Sequence, residues 1–299
     1  MGAAMKNDAI LRSGHPEDLS RLKALWQDVF GDPPEVIDAF LSFSGAPKTV
    51  MLMEEDGDIA SAIYTLPMEG LYFPNGTIHP ISLTYALATR PKFRGRGYGK
   101  QVMNAAIQKS FSEGFLYSAQ WPAKDWLFDH YRKTANYLDC FAVRESQVPS
   151  PDTYSGTGWI REASAAAYNN FRNNFLQRRK SFFIMFGDTA ITLQKKLSAC
   201  SGGGCYLFGA DAVWGCASCE IAGDGTVLVK ELLCPEEKLK EALSLLATVH
   251  PAKSYCVRTP ADLGYALHGR LRYCGQLQNR GGNSNFLACK PGYYGLAFD

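Results

Sequence analysis

Along the first half of the chain, segments with apolar residues at helical spacing alternate with segments typical of strands. This pattern predicts helices interleaved with strands. Apolar side chains recur at helical spacing from Leu19 to Val29, and Gly31 ends that helix. Residues 49–54 and 59–66 are predicted strands joined by a hairpin at Gly57. The other predicted elements are strands at 9–12, 81–89, 115–120 and 139–144 and helices at 34–43, 97–113 and 125–134. This order predicts an α/β fold, a mixed sheet flanked by helices.

The clearest linker, residues 149–158, is rich in Pro, Ser, Thr and Gly. Beyond it the pattern predicts a helix at 162–180, a loop at 202–204, strands at 205–208, 213–221, 227–233 and 254–257, and a helix at 235–249. This order repeats that of the first half, so we expect a divergent duplicate. The predicted organisation is a first domain at 1–146, a linker at 147–160 and a second domain at 161–299.

Composition changes this picture little. A net charge of +2, from 31 basic and 29 acidic residues, gives no reason to expect nucleic acid or an anionic membrane as a partner. No apolar run is long enough to span a bilayer, and the first residues lack the apolar stretch of a signal peptide. The nine cysteines include one close pair, Cys216 and Cys219, without the second pair that a zinc site needs. We therefore expect reduced, mostly buried thiols, no metal and a cytoplasmic location.

The most informative segment follows the strand at 81–89. Pro91 stops the strand, and the turn Arg94-Gly95-Arg96-Gly97-Tyr98-Gly99 opens an amphipathic helix. The first turn of a helix offers unpaired backbone N–H groups and a positive dipole end, and glycines let a phosphate come close. A P-loop is excluded because Gln101 follows Lys100, and the glycines do not have dinucleotide-fingerprint spacing. The segment therefore predicts a pyrophosphate-binding turn, although a plain tight turn is the simpler alternative.

This segment resembles the signature of the GNAT superfamily of N-acetyltransferases, Arg/Gln-x-x-Gly-x-Gly/Ala, through Arg94, Gly97 and Gly99. The resemblance covers the first half of the chain and implies a GNAT fold that binds acetyl-CoA as co-substrate. The residues it assigns to the cofactor are Leu87, Ala88 and Thr89 beside the pantetheine arm, and Arg94, Gly95, Arg96, Gly97, Tyr98, Gly99 and Lys100 around the pyrophosphate.

The resemblance also implies a catalytic acid, a tyrosine that protonates the departing thiolate of CoA. Tyr131 matches it, although Ala135-Asn136-Tyr137 replaces the family's Gly-Phe ending and Lys124 its upstream asparagine. A packed aromatic residue is the alternative for Tyr131. The general base is less clear, since Glu69 and His79 lie near the central strands but fit ordinary surface groups better.

The chain is also similar to the two-domain enhanced-intracellular-survival acetyltransferases, in which the C-terminal carboxylate enters the first domain's active site. Its apolar tail, from Tyr293 to Phe298, ends at Asp299. The similarity implies that the tail docks toward the active site and makes Asp299 a candidate catalytic residue, with simple packing as the alternative.

The second half lacks the phosphate turn, because Pro235, Glu236 and Glu237 occupy the corresponding positions. Pro235 removes a donor and the carboxylates repel phosphate, so we expect this domain to be degenerate. The function predicted is transfer of an acetyl group to a primary amine of a small molecule or peptide. A non-catalytic acyl-CoA sensor and an aminoacyl-tRNA-dependent transferase of similar duplicated fold are the alternatives. The sequence does not indicate the amine or the oligomeric state.

Overall fold

Periodic apolar residues form the elements of the first half much as the sequence predicts. The computed structural model describes residues 9–282 and 290–298. The elements of the first half are β1 Ile10–Ser13, α1 Leu19–Phe30, α2 Pro34–Ser44, β2 Val50–Glu55, β3 Asp58–Pro67, β4 Gly70–Tyr72, β5 Ile78–His79, β6 Ile81–Thr89, α3 Tyr98–Ser112, β7 Tyr117–Gln120, α4 Asp125–Ala135 and β8 Leu138–Pro149. In α1 the stripe of Leu22, Leu25 and Trp26 is buried, and the helix ends at Gly31 in the left-handed region.

The second half departs further from prediction. Its elements are β9 Trp159–Glu162, α5 Ala165–Gln177, β10 Phe183–Met185, α6 Asp188–Cys200, β11 Gly204–Gly209, β12 Val213–Ile221, β13 Val227–Leu233, α7 Leu239–Val249, β14 Ser254–Pro260 and β15 Arg270–Asn279. The helix predicted from residue 162 begins three residues later, because the Ser164 side chain caps it by accepting from the Ala167 N–H at 3.2 Å. Glu162 belongs to β9 instead, and β10, α6 and β15 were not predicted.

One twelve-stranded sheet runs through both halves, in the order β1-β2-β3-β6-β7-β15-β8-β14-β13-β12-β11-β9. Strand β15, from the second half, lies between β7 and β8 of the first and is antiparallel to both. Strands β10, β4 and β5 form a smaller sheet that also joins the halves. The division into domains at 1–146 and 161–299 stays a prediction, since the strands interleave across it.

The largest cluster of buried apolar side chains also draws on both halves, with Leu22 and Phe141 packed in one core with Phe183 and Tyr294. Six of the eight described cysteines are buried, in agreement with the prediction of mostly buried thiols. Among the residues that the structure describes, no helix is both long and apolar enough to cross a membrane.

Candidate active site

The turn between β6 and α3 has the geometry of an anion site. Gly95 and Gly97 have φ of +81° and +80°, a backbone region that favours glycine. A Cβ atom at Gly95 would meet nothing within 4 Å, and one at Gly97 only the Gln101 amide at 3.9 Å. Helix α3 begins at Tyr98, and no side chain within the described part of the chain caps it. The N–H groups of its first turn and its dipole are therefore available to a phosphate.

The two arginines of this turn are held in place by neighbouring groups. Arg94 Nε donates to the Thr89 carbonyl at 3.2 Å. Arg96 donates to both oxygens of Glu55, at 2.9 and 2.8 Å, and the Tyr98 hydroxyl donates to the same carboxylate at 2.9 Å. Glu55 thus offsets part of the positive charge at the turn, so the backbone amides carry more of the proposed phosphate binding than the sequence alone indicates.

Strand β6 offers an open edge beside this turn. It pairs in parallel with β7 from Ile81 to Leu83, and from there to Thr89 its register, among the described residues, is with β3 alone. The register with β3 shifts around Ala86, whose φ is +50°, so the strand carries a bulge at the point of divergence. A strand edge of this kind can pair with an extended amide-bearing chain, which is the chemistry of a pantetheine arm.

A buried polar network holds the two strands where they part. The Tyr137 hydroxyl is hydrogen-bonded to Thr84 Oγ1 at 3.0 Å and to Ser118 Oγ at 2.7 Å. Burial raises the pKa of Tyr137 to about 12, so the phenol stays neutral. This network was not predicted from the sequence. The pattern that could have indicated it is the presence of Thr84 and Ser118 within otherwise apolar strands.

The diverging strands open into a cavity of about 490 Å³. Leu87 of the open strand edge and Tyr131 of α4 line it together. Its other walls come from Trp26, Phe30, Asp32, Ile63, Thr84, Tyr85, Ala86, Met103, Gln120, Trp121, Pro122, Ala123, Asp125, Leu127, Arg258, Arg272 and Ala297. Both halves of the chain thus form the site.

Tyr131, the predicted general acid, lies in the wall of the cavity. Its side chain is 9% exposed, and burial raises its pKa to about 12. The phenol is therefore protonated at neutral pH, as it would be at its ordinary pKa, and it has a proton to donate to a thiolate. The assignment of Tyr131 as the acid stays a prediction, because no other observation distinguishes it from a packed aromatic residue.

The C-terminal tail is buried up to Phe298, which is 4% exposed. The Phe298 carbonyl accepts a hydrogen bond from the Tyr85 hydroxyl, and Ala297 lines the cavity. Upstream, Gly295 at φ +80° lies against the buried Arg172–Glu231 ion pair. Asp299, the predicted catalytic residue, lies outside the described residues. The tail therefore reaches the cavity wall, and the role of its last residue stays a prediction.

The structure separates the other base candidates from the cavity. Glu69 is exposed, and His79 packs against the rings of Phe73 and Tyr117; neither lines the cavity. Asp32 does line it, and its carboxylate accepts from Trp26 Nε1 at 2.7 Å. Sequence reasoning missed Asp32, since the only local signal was a helix stop. No group of metal-ligating side chains is found within residues 9–282 and 290–298.

The comparisons with known proteins agree with the motif in this turn. Residues 11–134 match the family profile "Acetyltransferase (GNAT) domain". This part of the chain is therefore similar to a GNAT acetyltransferase domain, as the sequence motif predicted. No curated protein matches the sequence significantly.

Solved structures extend the likeness of fold over the whole chain. A GCN5-related N-acetyltransferase from Anabaena variabilis has a TM-score of 0.72 at 12% identity, with 91% of this chain and 73% of that chain covered. A GCN5-related N-acetyltransferase from Kribbella flavida has a TM-score of 0.68 at 16% identity, with 93% of this chain and 72% of that chain covered. Eis1 from Mycobacterium abscessus has a TM-score of 0.61 at 12% identity, with 91% of this chain and 73% of that chain covered. This likeness agrees with the predicted resemblance to enhanced-intracellular-survival acetyltransferases.

Proposed function

We propose that this protein transfers the acetyl group of acetyl-CoA to a primary amine of a small molecule or peptide. The observation that carries the proposal is the continuity of three features: the glycine turn at the start of α3, the open edge of β6 and the cavity that contains Tyr131. Pyrophosphate at the turn and pantetheine along residues 87–89 would bring the thioester to the cavity.

The chemistry needs a neutral amine, a polarised carbonyl and a proton for the leaving thiolate. The amine nitrogen attacks the thioester carbon, the carbon–sulfur bond breaks, and the products are an amide and free CoA thiol. Tyr131 gives its proton to the sulfur, and a base takes one from the amine. In this proposal, backbone N–H groups at the bulge of β6 would polarise the carbonyl.

We further propose that the C-terminal carboxylates of Asp299 receive the amine's proton. The support is the path of the tail, since Ala297 lines the cavity and the next residue bonds to Tyr85. A docked tail is favoured because Leu296 and Phe298 are buried, and exposing each would cost roughly 1.5 to 3 kcal/mol.

The test is acetyl-CoA turnover with a panel of primary amines, followed by release of free thiol. Amine-dependent thiol release with a mass gain of one acetyl group on the amine would support the proposal. Tight acetyl-CoA binding with no transfer to any amine would contradict it and favour a sensor. Transfer that requires aminoacyl-tRNA instead of acetyl-CoA would point to the other alternative.

A further inference from the structure

The second half contributes a cationic wall to the cavity. Arg258 of β14 and Arg272 of β15 both line it. Their guanidinium groups lie 5.4 and 5.9 Å from the centre of the Trp121 ring. Arg258 Nε and Arg272 Nη2 each donate to the same oxygen of Glu145, at 3.0 Å. Both guanidinium groups therefore contact Glu145 beside a flat aromatic surface.

Arg272 retains hydrogen-bonding capacity in this arrangement. Its Nε is buried and has no hydrogen-bond partner among the residues that the structure describes. Its side chain is 37% exposed, so the guanidinium is not enclosed by protein. Among the residues that the structure describes, Nη2 is the only atom of Arg272 that donates to Glu145. A planar guanidinium in this state matches a carboxylate, which can accept two parallel hydrogen bonds.

We propose that the acceptor is an amine that also carries a carboxylate, as amino acids do, and that Arg272 binds this carboxylate. The inference rests on the proposed acetyl transfer and names the class of its substrate. The arginines repel an ammonium group and attract a carboxylate, so the acceptor binds with its carboxylate toward β14 and β15. Its amine then faces Tyr131 and the open edge of β6. Trp121 provides an apolar surface for the carbon skeleton.

The experiment compares a panel of L-amino acids with their amides, which keep the amine and lose the carboxylate charge. We expect kcat/KM to be about 10- to 100-fold higher for the acids than for the amides, the usual range for a charged hydrogen bond. Arg272→Gln should bring this ratio close to one, and Arg272→Lys, which keeps only a point charge, should leave an intermediate ratio. Arg270→Gln, an exposed arginine on the same strand, should leave the ratio unchanged.

Two results would overturn the assignment while leaving acetyl transfer intact. One is equal or better turnover of the amides, and the other is a folded Arg272→Gln protein, with wild-type melting temperature and CoA affinity, that keeps the full preference. Calorimetry of the same acids and amides with the CoA-bound protein separates this proposal from the proposed function. If no amine is acetylated but acids bind in an Arg272-dependent manner, the transferase function fails and the carboxylate site stands. If neither occurs, both proposals are wrong.

Discussion

The two halves contain the same junction, a strand followed by a proline-led turn and a helix, with one difference. After β6, a 3-10 turn at Pro91–Phe93 leads into residues 94–97 before α3 begins at Tyr98. After β13, a 3-10 turn at Glu236–Lys238 leads directly into α7 at Leu239. Between strand and helix the first junction therefore has eight residues and the second has five, and the first includes two glycines with positive φ.

The second junction is also occupied by the protein's own carboxylate. Glu236 accepts hydrogen bonds from the N–H groups of Gly264 and Ala266, at 2.8 and 2.5 Å. The Glu236 carboxylate at the second junction would repel a phosphate group. At the first junction, by contrast, Gly95 and Gly97 face open space. A shared fold need not give a shared site, and we attribute the proposed difference to the glycine-containing residues 94–97, which have no counterpart between the 3-10 turn and the helix of the second junction.

Removal of the proposed acid should have the largest effect on the first half's chemistry. We expect Tyr131→Phe to lower kcat by about 100- to 10,000-fold, the range for a positioned acid, and to leave acetyl-CoA affinity nearly unchanged. Tyr265→Phe, an exposed tyrosine of the second half, is the control. Turnover equal to that of the wild type would remove Tyr131 from the mechanism.

Deletion of residues 296–299 should have the next largest effect, because it removes the proposed base and the tail that supports the cavity. We expect kcat to fall by about 10- to 1,000-fold, with a smaller loss of CoA affinity and a lower melting temperature. A protein with a short C-terminal extension keeps the buried apolar residues and moves the terminal carboxylate. Full activity in both proteins would place the base elsewhere.

The hydrogen-bond network at the diverging strands gives a matched pair of variants. Tyr137→Phe removes the hydroxyl that Thr84 and Ser118 share and should cost about 1 to 3 kcal/mol of unfolding free energy. Tyr255→Phe, in the second half, removes a hydroxyl that donates to the His250 carbonyl at 2.7 Å and should cost a similar amount. Only Tyr137→Phe should also weaken CoA binding, by several-fold. Equal CoA affinities for the two variants would show that the network is only structural.

The smallest expected effect concerns pH. Because the pKa of Tyr131 is raised to about 12, this group should cause no loss of kcat as the pH rises from neutral to about 10. The same shift contributes stability that is complete below about pH 10, the unfolded pKa, and is lost as the pH approaches about 12. A decline of kcat that disappears in Tyr131→Phe and begins below pH 9 would contradict the burial of this phenol.

The sequence predicted what depends on local signals. Turn residues and apolar periods predict the hairpin at Gly57, strand β6 and the turn from Arg94 to Gly99. The structure contains all three. Strand β15 and its insertion beside β7 depend on pairing between distant segments, which no local period encodes. For the same reason Arg272 and Asp32 could not be placed at the cavity from the sequence. Tyr131 could be singled out from the sequence, because its neighbours resemble the helix that carries the catalytic tyrosine in the GNAT family.

The central claim is that the first junction alone binds acetyl-CoA, and a calorimetric titration tests it most directly. We expect one acetyl-CoA bound per chain. Gly97→Asp should abolish binding and Gly97→Asn should weaken it less, since both side chains tolerate positive φ and only aspartate adds a negative charge. Gly223→Asp, in an open turn of the second half, should bind like the wild type. Two acetyl-CoA molecules per chain, or full binding by folded Gly97→Asp, would contradict the account.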